Sequence, residues 1–475
     1  MQKILLILLL FIISTISIAQ DKEDDKKDDK KKKEKTYSEI IDDSYKTDEG
    51  LFKVHSKKDK FLYEISSDLL GKEMLMVTRI AKTANGIGYG GQKINSQVLR
   101  WQKKHDKILL RIVSYENVAS DTLPISKSVK NSNFEPVLYS FDIKTYNPSD
   151  SSVVIDVAPL FKTDVKALGF PQYRRKSLKI TSLDKKRSFI ESIKSFPINI
   201  EARSVMTYNS SEPPSLRNSQ TISLEINNSM LLLPENKMQP RLRDQRVGFF
   251  SQSQIDYGLD EQKAKSTTYI RRWKLVPKDI EAYNRGELVE PIKPIIYYID
   301  PSTPKKWRKY LKQGVDDWQV AFEAAGFKNA IIGKYPPTEE EDPDWTPEDA
   351  RYSVMRYYAS DIQNAYGPHT ADPRTGEILE SDIGWYHNVM NLLRNWYMIQ
   401  TAAVNETSRD VKFDDEVMGQ LIRFVSAHEV GHTIGLQHNM GSSSAYPVDS
   451  LRSPFFTSSH GVAPSIMDYA RFNYV

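Results

Sequence analysis

The sequence predicts a multidomain protein in which an antiparallel β-rich domain precedes an α/β domain. Its 475 residues are enough for about three domains of ordinary size. From about residue 72 to residue 278, short runs of β-branched and aromatic residues alternate with polar ones and are separated by turns, as in antiparallel strands. After about residue 288, a strand, a long amphipathic helix and further strands follow in the order of an α/β domain.

The N-terminus has the layout of a secretory signal peptide. Lys3 supplies a positive charge, Ile4–Ile13 form an unbroken apolar run, and Ser17–Ala19 offer the small residues of a cleavage site. We therefore predict a signal peptide over residues 1–19 and an exported protein, which is periplasmic, on the cell surface or extracellular. An uncleaved membrane anchor is the alternative, although the apolar run is short for a membrane span.

The composition narrows the possible functions. Cysteine is absent, which excludes disulfides, a thiol nucleophile and a cysteine-based latency switch. The formal net charge of +4 gives no reason to expect nucleic-acid binding. No further run of 18 apolar residues follows, so we expect no stable membrane insertion after signal cleavage. The sequence makes no prediction about the oligomeric state.

The remaining chain divides into four predicted segments. Lys, Asp and Glu make up nearly all of residues 20–35, which predicts a disordered charged linker. Residues 36–71 are predicted to form a small module, residues 72–287 the β-rich domain and residues 288–475 the α/β domain. The β-rich domain carries no catalytic cluster, and the regions before the α/β domain are either inhibitory or substrate-binding.

One motif in the β-rich domain matches a nucleotide-binding pattern without its structural context. Gly86–Gly91 match the G-x-G-x-x-G pattern of dinucleotide-binding folds, which requires a helix to follow. Gln97–Trp101, which come next, are typical of a strand. We therefore predict a hairpin loop rather than a nucleotide site.

The α/β domain begins with a buried-type strand at Pro294–Asp300. Pro304 then begins a long amphipathic helix that Gly326 ends. An extended segment at about residues 378–389 is either an edge strand that a peptide substrate extends or a plain surface strand. Isolated histidines and tryptophans of this domain are expected to be hydrogen-bonded or core residues rather than a second metal site or ligand platforms: His369, His387, His460, Trp345, Trp385 and Trp396.

A histidine-rich stretch near the C-terminus predicts a metal site. His428 and His432 are four residues apart, so on a helix they lie on one face and can bind one ion. Gly435 permits a sharp reversal of the chain, after which His438 completes a three-histidine site. A fourth position then remains for water, as in catalytic rather than structural zinc sites. Glu429 is predicted to activate that zinc-bound water as the catalytic base.

The specificity of this pattern lies in its length. A lone H-E-x-x-H occurs by chance on polar helix faces, but the full H-E-x-x-H-x-x-G-x-x-H string fixes five positions. The stretch HEVGHTIGLQH resembles the extended zinc signature of the metzincin metallopeptidases. Ser465–Tyr469 (SIMDY) resemble the Met-turn of that family. The resemblance implies that Met467 is a hydrophobic base under the ligands. It also makes Tyr469 a candidate fifth ligand that stabilises the transition state; the alternative is an ordinary buried aromatic residue.

The resemblance covers about Pro294–Val475. The leading region resembles, more weakly, the companion domain of uncharacterised secreted bacterial zinc-dependent metalloproteases. The implied fold is a β-rich N-terminal domain followed by a zincin-like (metzincin) catalytic domain. Metzincins continue past the Met-turn to a final helix, so the end at Val475 predicts a truncated catalytic domain.

The predicted function is that of a secreted zinc-dependent metalloendopeptidase that hydrolyses a protein or peptide substrate and uses Zn²⁺ as its cofactor. One alternative keeps the zinc and changes the bond to a non-peptide amide. Another is a non-catalytic surface-binding protein built on a zincin scaffold.

Overall fold

The computed structural model describes residues 35–473. The predicted signal peptide, and all of the charged linker except Lys35, lie outside the described residues. Among residues 35–473, no helix combines the length and the apolar character that crossing a lipid bilayer requires.

Strands dominate the first half of the described chain. Its strands are β1 Lys46–Asp48, β2 Lys53–Lys57, β3 Lys60–Ile65, β4 Glu73–Lys82, β5 Lys93–Lys104, β6 Lys107–Val113, β7 Asn117–Val118, β8 Val137–Tyr146, β9 Val153–Asp156, β10 Ile180–Leu183, β11 Phe189–Ser195, β12 Asn199–Ser210, β13 Thr221–Leu232, β14 Ser251–Asp256 and β15 Lys265–Ile270. Shorter strands follow in the second half: β16 Ile295–Ile299, β17 Ile331–Lys334, β18 Ser353–Tyr358, β19 Ala365–Tyr366, β20 Thr370–Ala371, β21 Ile378–Glu380 and β22 Ile383–Tyr386.

The longer helices lie in the second half of the chain. The α-helices are α1 Tyr37–Ile40, α2 Ile125–Ser132, α3 Ala158–Lys162, α4 Gln172–Ser177, α5 Ile280–Asn284, α6 Lys305–Asp316, α7 Gln319–Ala324, α8 Val389–Thr401, α9 Asp415–Thr433, α10 Val448–Leu451 and α11 Pro454–His460.

A twelve-stranded antiparallel sheet forms the β-rich region, in the order β1-β2-β3-β9-β8-β6-β5-β4-β13-β12-β10, with β11 also paired to β12. Apolar side chains alternate inward and form a core around fully buried Tyr63 and Trp101. The backbone N–H of Leu51 donates to the carbonyl of Phe196 at 2.7 Å, so the sheet curls until its two ends approach. The predicted antiparallel β-rich region is thus confirmed. Strands from both sides of residue 72 share this sheet, and the predicted domain limits stay predictions.

The glycine-rich segment Gly86–Gly91 lies in the connection between β4 and β5. These two strands pair antiparallel, with Met74 opposite Leu99 and Thr78 opposite Asn95. A strand, not a helix, therefore follows Gly86–Gly91, and the predicted hairpin loop is confirmed.

The second half contains a five-stranded sheet in the order β17-β16-β18-β22-β19. The first four strands are parallel, and β19 runs antiparallel to β22. The extended segment predicted at residues 378–389 is two strands followed by the start of α8 at Val389. Strand β21 has β20 as its one partner in a separate two-stranded sheet, and β22 is internal to the five-stranded sheet, so β22 is neither an edge strand nor a surface strand. All four residues of β22 are buried, which explains the apolar run that suggested a continuous strand.

The long helix predicted from Pro304 to Gly326 is two helices, α6 and α7. The break falls at Asp317 and Trp318, whose side chains both turn towards α9. Asp317 pairs with Arg423 at 2.5 Å, and the Trp318 indole N–H donates to the Ala427 carbonyl at 2.8 Å. Helix α9 therefore fixes the break.

Helices α6 and α9 cross at close range over the five-stranded sheet. A Cβ added at Gly314 would lie 2.5 Å from the side chain of Ser426, and one added at Gly419 would lie 2.1 Å from the Tyr310 ring. Glycine at these two positions lets the backbones approach, because any side chain would force the helices apart. This contact holds α9 in place, and α9 carries the histidines of the predicted site.

Ion pairs join the twelve-stranded sheet to β21, which pairs with β20 in a separate two-stranded sheet, and to the loop before β18. Arg79 on β4 lies 2.6 Å from Glu380 on β21, and Arg203 on β12 lies 2.7 Å from Glu348. Glu201 on β12 lies in the same charged interior but accepts its hydrogen bonds from amides rather than from a cation. Burial raises the pKa of the Glu201 carboxyl to about 7, against hydrogen bonds that lower it.

We predict that Glu201 makes the protein less stable as pH rises from about 4.5 to about 7. The native state binds more protons than the unfolded state in that window, because the pKa of Glu201 rises from 4.5 to about 7 on folding. The loss is on the order of 3 kcal/mol. Glu201→Gln, which mimics the protonated form, should flatten the pH dependence of the unfolding free energy measured by urea denaturation. The exposed Glu340→Gln should keep the wild-type profile, and equal profiles for all three proteins would contradict this assignment.

Candidate metal centre

Helix α9 and the reversal after it bring the predicted ligands together. His428, Glu429 and His432 lie in the last turns of α9, which ends at Thr433. Gly435 follows with φ +110°, in the region that favours glycine. A Cβ at this position would also lie 2.3 Å from the carbonyl oxygen of Arg271. The glycine thus permits both the reversal and the close packing, and His438 comes back to face the helix.

The three histidines converge on a common point. The Nε2 atom of His438 lies 3.3 Å from Nε2 of His428 and 3.1 Å from Nε2 of His432. One ligand atom from each residue lies within 4.8 Å of the others. In a tetrahedral zinc site with bonds of about 2.0–2.1 Å, two donor atoms are about 3.3–3.4 Å apart. The spacing therefore fits a shared zinc ion.

Backbone carbonyls fix the tautomers of the two helical histidines. Nδ1 of His428 lies 2.8 Å from the carbonyl oxygen of Ile466, and Nδ1 of His432 lies 2.8 Å from that of Leu436. A carbonyl can only accept, so each Nδ1 carries the proton and each Nε2 lone pair is free for a metal. Burial lowers the pKa of His428 to about 4 and lowers the pKa of His432 and His438, which keeps the rings neutral.

Glu429 lies beside the cluster without belonging to it. Its side chain is buried, and burial raises the pKa of its carboxyl to about 8. The backbone of Gly367, directly after β19, packs against it: a Cβ there would lie 2.5 Å from the Glu429 carbonyl oxygen and 3.1 Å from its Oε2. The carboxyl is therefore held near the imidazoles without being a ligand.

Met467 lies beneath the histidines. Its side chain is 2% exposed, and a Cβ added at Gly431, between the two helical histidines, would lie 2.2 Å from its Sδ. The Met467 carbonyl accepts the N–H of Asn439 at 2.8 Å, which ties the turn to the residue after His438. The turn therefore supports both α9 and the third histidine.

Tyr469 lies at the open side of the cluster. Its ring centroid is 4.5 Å from that of His438 and 5.5 Å from that of His428. The residue is 46% exposed, so it is not a buried core aromatic. Its position next to two of the histidines is compatible with the role that the family resemblance implies.

The remaining singled-out residues lie in varied surroundings. His387 contacts the Tyr357 hydroxyl at 2.8 Å, and His460 stacks on Phe456 at 4.3 Å. Trp385 is a buried core residue, as expected. His369 fits the core alternative and not the hydrogen-bonded one: its buried ring nitrogens make no hydrogen bond within the described residues, and the His432 backbone approaches without hydrogen-bond geometry. Within residues 35–473, the one group of histidines and acidic residues spaced to hold a metal is His428, His432 and His438.

Sequence reasoning missed a strap that precedes the five-stranded sheet in the chain, Gly248–Phe250. The N–H of Phe250 donates to the Gly435 carbonyl, and the N–H of Gln437 donates to the Gly248 carbonyl, both at 2.8 Å. The Phe250 ring lies 5.8 Å from that of His432. This strap holds the loop between the second and third histidines. No sequence motif identifies the strap, because it acts through backbone hydrogen bonds between segments almost 190 positions apart in the chain.

The comparisons with known proteins agree with this geometry. Residues 410–475 match a family model described as Met-zincin. Residues 91–278 and 34–83 match two models described as domains of unknown function, DUF5117 and DUF5118. No curated protein and no solved structure matches the chain significantly. The metzincin resemblance is thus confirmed over residues 410–475 at the level of the Met-zincin model.

We predict that Gly431→Ala destabilises the protein and weakens zinc retention. The new Cβ would lie 2.2 Å from Met467 Sδ and 2.9 Å from Trp318, whose indole is hydrogen-bonded. Overpacking of this kind costs about 1–3 kcal/mol, more than the helix propensity of roughly 1 kcal/mol that alanine gains over glycine.

Gly441→Ala is the matched control, since its Cβ meets open space and its φ is −80°. Thermal unfolding and the zinc content after dialysis distinguish the two variants. If both variants unfold at the wild-type temperature, Met467 does not support α9 as described.

Proposed function

We propose that this chain is an exported zinc-dependent metalloendopeptidase. The observation that carries the proposal is the convergence of three imidazole Nε2 atoms at tetrahedral spacing, with two of the rings oriented by backbone carbonyls. The Met-zincin match over residues 410–475 supports the same reading. When bound, zinc supplies a Lewis acid that acidifies a water molecule and polarises a carbonyl group.

Glu429 is the proposed proton carrier. Its carboxylate takes a proton from the attacking water and returns it to the nitrogen of the leaving amine. Burial favours the protonated form that this second transfer requires, against a backbone hydrogen bond from Gly367 that lowers the pKa of the carboxyl. Tyr469, at the open side of the histidines, donates from its hydroxyl to the developing oxyanion.

Strand β19 is the proposed edge strand along which an extended peptide substrate binds. It ends the five-stranded sheet, so its outer edge has no partner among the described strands of that sheet. An extended peptide adds to such an edge through backbone hydrogen bonds. The residue directly after β19 is Gly367, which packs on Glu429. A peptide on this edge therefore runs past the proposed base. Export rests on the signal-like first 19 residues.

We predict that Glu429→Ala keeps stoichiometric zinc and loses peptidase activity by about 10²–10⁴-fold, because only the proton carrier is removed. His432→Ala should lose zinc as well as activity, because two imidazoles bind the ion more weakly than three. Metal analysis after dialysis and cleavage of an unfolded protein such as casein measure both effects.

His460→Ala is the control: this histidine is exposed and stacks on Phe456, so the variant should retain zinc and activity. Full activity in Glu429→Ala would overturn the assigned mechanism. Stoichiometric zinc in a wild-type protein that cleaves no peptide bond would favour a non-peptide amide substrate or a non-catalytic scaffold.

We further predict that Tyr469→Phe lowers kcat about 10²-fold while leaving KM and zinc content near wild type, because the hydroxyl acts on the transition state alone. Steady-state kinetics on a fluorogenic peptide measure the two constants separately. An unchanged kcat would reduce Tyr469 to a packing contact on His438.

A further inference from the structure

A cavity of about 500 Å³ lies beside the candidate metal centre. Its walls come from β5, from the chain after β6 and from the segment that follows β19. Three basic side chains line it, contributed by distant parts of the sequence: Lys93, Arg271 and His369. Among the lining residues the one carboxylate is Glu116, which is exposed.

The basic groups of this cavity lack partners. Over the described part of the chain, no hydrogen bond or ion pair reaches the Nζ of Lys93, and the buried Nε of Arg271 and both ring nitrogens of His369 are unsatisfied. Glu380, a buried carboxylate whose charge raises the pKa of Lys93 against the lowering by burial, is already held by Arg79 at 2.6 Å and by Thr370 at 3.0 Å. Burial lowers the pKa of His369 to about 4, so its ring is neutral, and Lys93 is exposed. The partly buried guanidinium of Arg271 therefore carries the argument: burying a cation with an unsatisfied Nε is costly, so Arg271, with Lys93 beside it, indicates an anionic ligand in the cavity.

The pKa values agree with this arrangement. Burial lowers the pKa of Lys93 to about 8, and the positive charges of Arg79 and Arg271 lower it further. Burial also lowers the pKa of Arg271. The Lys93 side chain is itself exposed at the cavity mouth, so the cavity is open to an incoming group.

The cavity is within reach of a substrate bound at the metal centre. Gly367 packs against Glu429, and His369, two residues later, lines the cavity. Two residues of chain span at most about 7 Å. The Phe250 ring bridges the two places, 5.3 Å from the His369 ring and 5.8 Å from the His432 ring. A side chain one or two positions from the scissile bond can therefore enter the cavity.

We propose that this cavity is a specificity pocket in which Lys93 and Arg271 bind a carboxylate of the substrate chain. The proposal rests on the peptidase function proposed above. The carboxylate belongs either to an Asp or Glu side chain near the scissile bond or to the C-terminus of the peptide. Because Lys93 and Arg271 come from the β-rich region, that region takes part in substrate selection.

The test uses three fluorescein-labelled pools of degenerate pentapeptides. Their centres are Glu with an amidated C-terminus, Gln with an amidated C-terminus, and Gln with a free C-terminal carboxylate. Binding to full-length, zinc-loaded Glu429→Ala protein is followed by fluorescence anisotropy. We expect one of the two carboxylate pools to bind at least about fivefold more tightly than the neutral pool, and the pool that does so identifies the source of the carboxylate.

The second arm compares Lys93→Gln and Arg271→Gln, each added to Glu429→Ala, with the matched control Lys127→Gln on the exposed face of α2. The two cavity variants should lose the preference for the carboxylate, and the control should keep it. Neither cavity side chain makes a hydrogen bond within residues 35–473, so folding should survive, and circular dichroism checks this. Equal binding of all three pools, or a preference that persists in both cavity variants, overturns the proposal.

Cleavage mapping separates this proposal from the peptidase function. Wild-type protein digests casein, and mass spectrometry locates the cut sites. Cleavage enriched for Asp, Glu or chain ends at a fixed distance from the cut, and without enrichment in Arg271→Gln, supports the pocket. Cleavage without enrichment refutes the pocket and leaves the peptidase function standing. Absence of cleavage refutes the peptidase function, and the carboxylate preference in the binding arm then decides the pocket alone.

Discussion

The structure depends on two hydrogen bonds from imidazole Nδ1 atoms to backbone carbonyls. The Ile466 and Leu436 carbonyls, each 2.8 Å from its histidine, set the tautomers and the ring angles of His428 and His432. Without these hydrogen bonds, two histidines one helical turn apart would lie on the same face, but their Nε2 atoms would not point to the same position. Each imidazole ring could then rotate about χ2. The first carbonyl belongs to the turn that carries Met467 and the second to the reversal at Gly435. The position of the ligands is thus determined by the loops after α9 as much as by α9 itself.

Those loops are held by residues that precede the five-stranded sheet in the chain. The strap Gly248–Phe250 pairs with the loop after Gly435, and the Trp273 indole donates to the Thr433 carbonyl at 3.0 Å. The ion pairs Arg79–Glu380 and Arg203–Glu348 fasten the twelve-stranded sheet to β21 and to the loop before β18. Buried ion pairs contribute orientation more than stability. The β-rich region therefore acts as a frame for the candidate centre, and an inhibitory role is not needed to explain its contacts.

The sequence predicts those parts of the site whose signal is local. The spacing of His428 and His432, the reversal at Gly435 and the apolar turn at Met467 all lie within about 40 positions, so helix geometry and glycine conformation are enough to place them. The edge strand of the five-stranded sheet is a feature that local sequence patterns do not predict. The internal strand β22 has an apolar run that a pattern can detect, whereas the true edge, β19, has two residues and no period. The strap, Gly367 and the pair Lys93 and Arg271 act through tertiary placement, which no periodicity records.

Burial acts in opposite directions on the two kinds of group at the candidate centre, and both effects suit a site for a dication. It lowers the pKa of the three histidines and raises the pKa of Glu429, because a low-dielectric surrounding disfavours every charged form. Neutral imidazoles are the form that binds a metal. The Glu429 carboxylate, by contrast, is stabilised by a positive charge nearby, so a dication held by the imidazoles brings the carboxyl back towards the charge state that a base requires. Under the proposed function, the same desolvation that keeps the three imidazoles neutral would keep the Glu429 carboxyl protonated, and a bound dication would favour its carboxylate form.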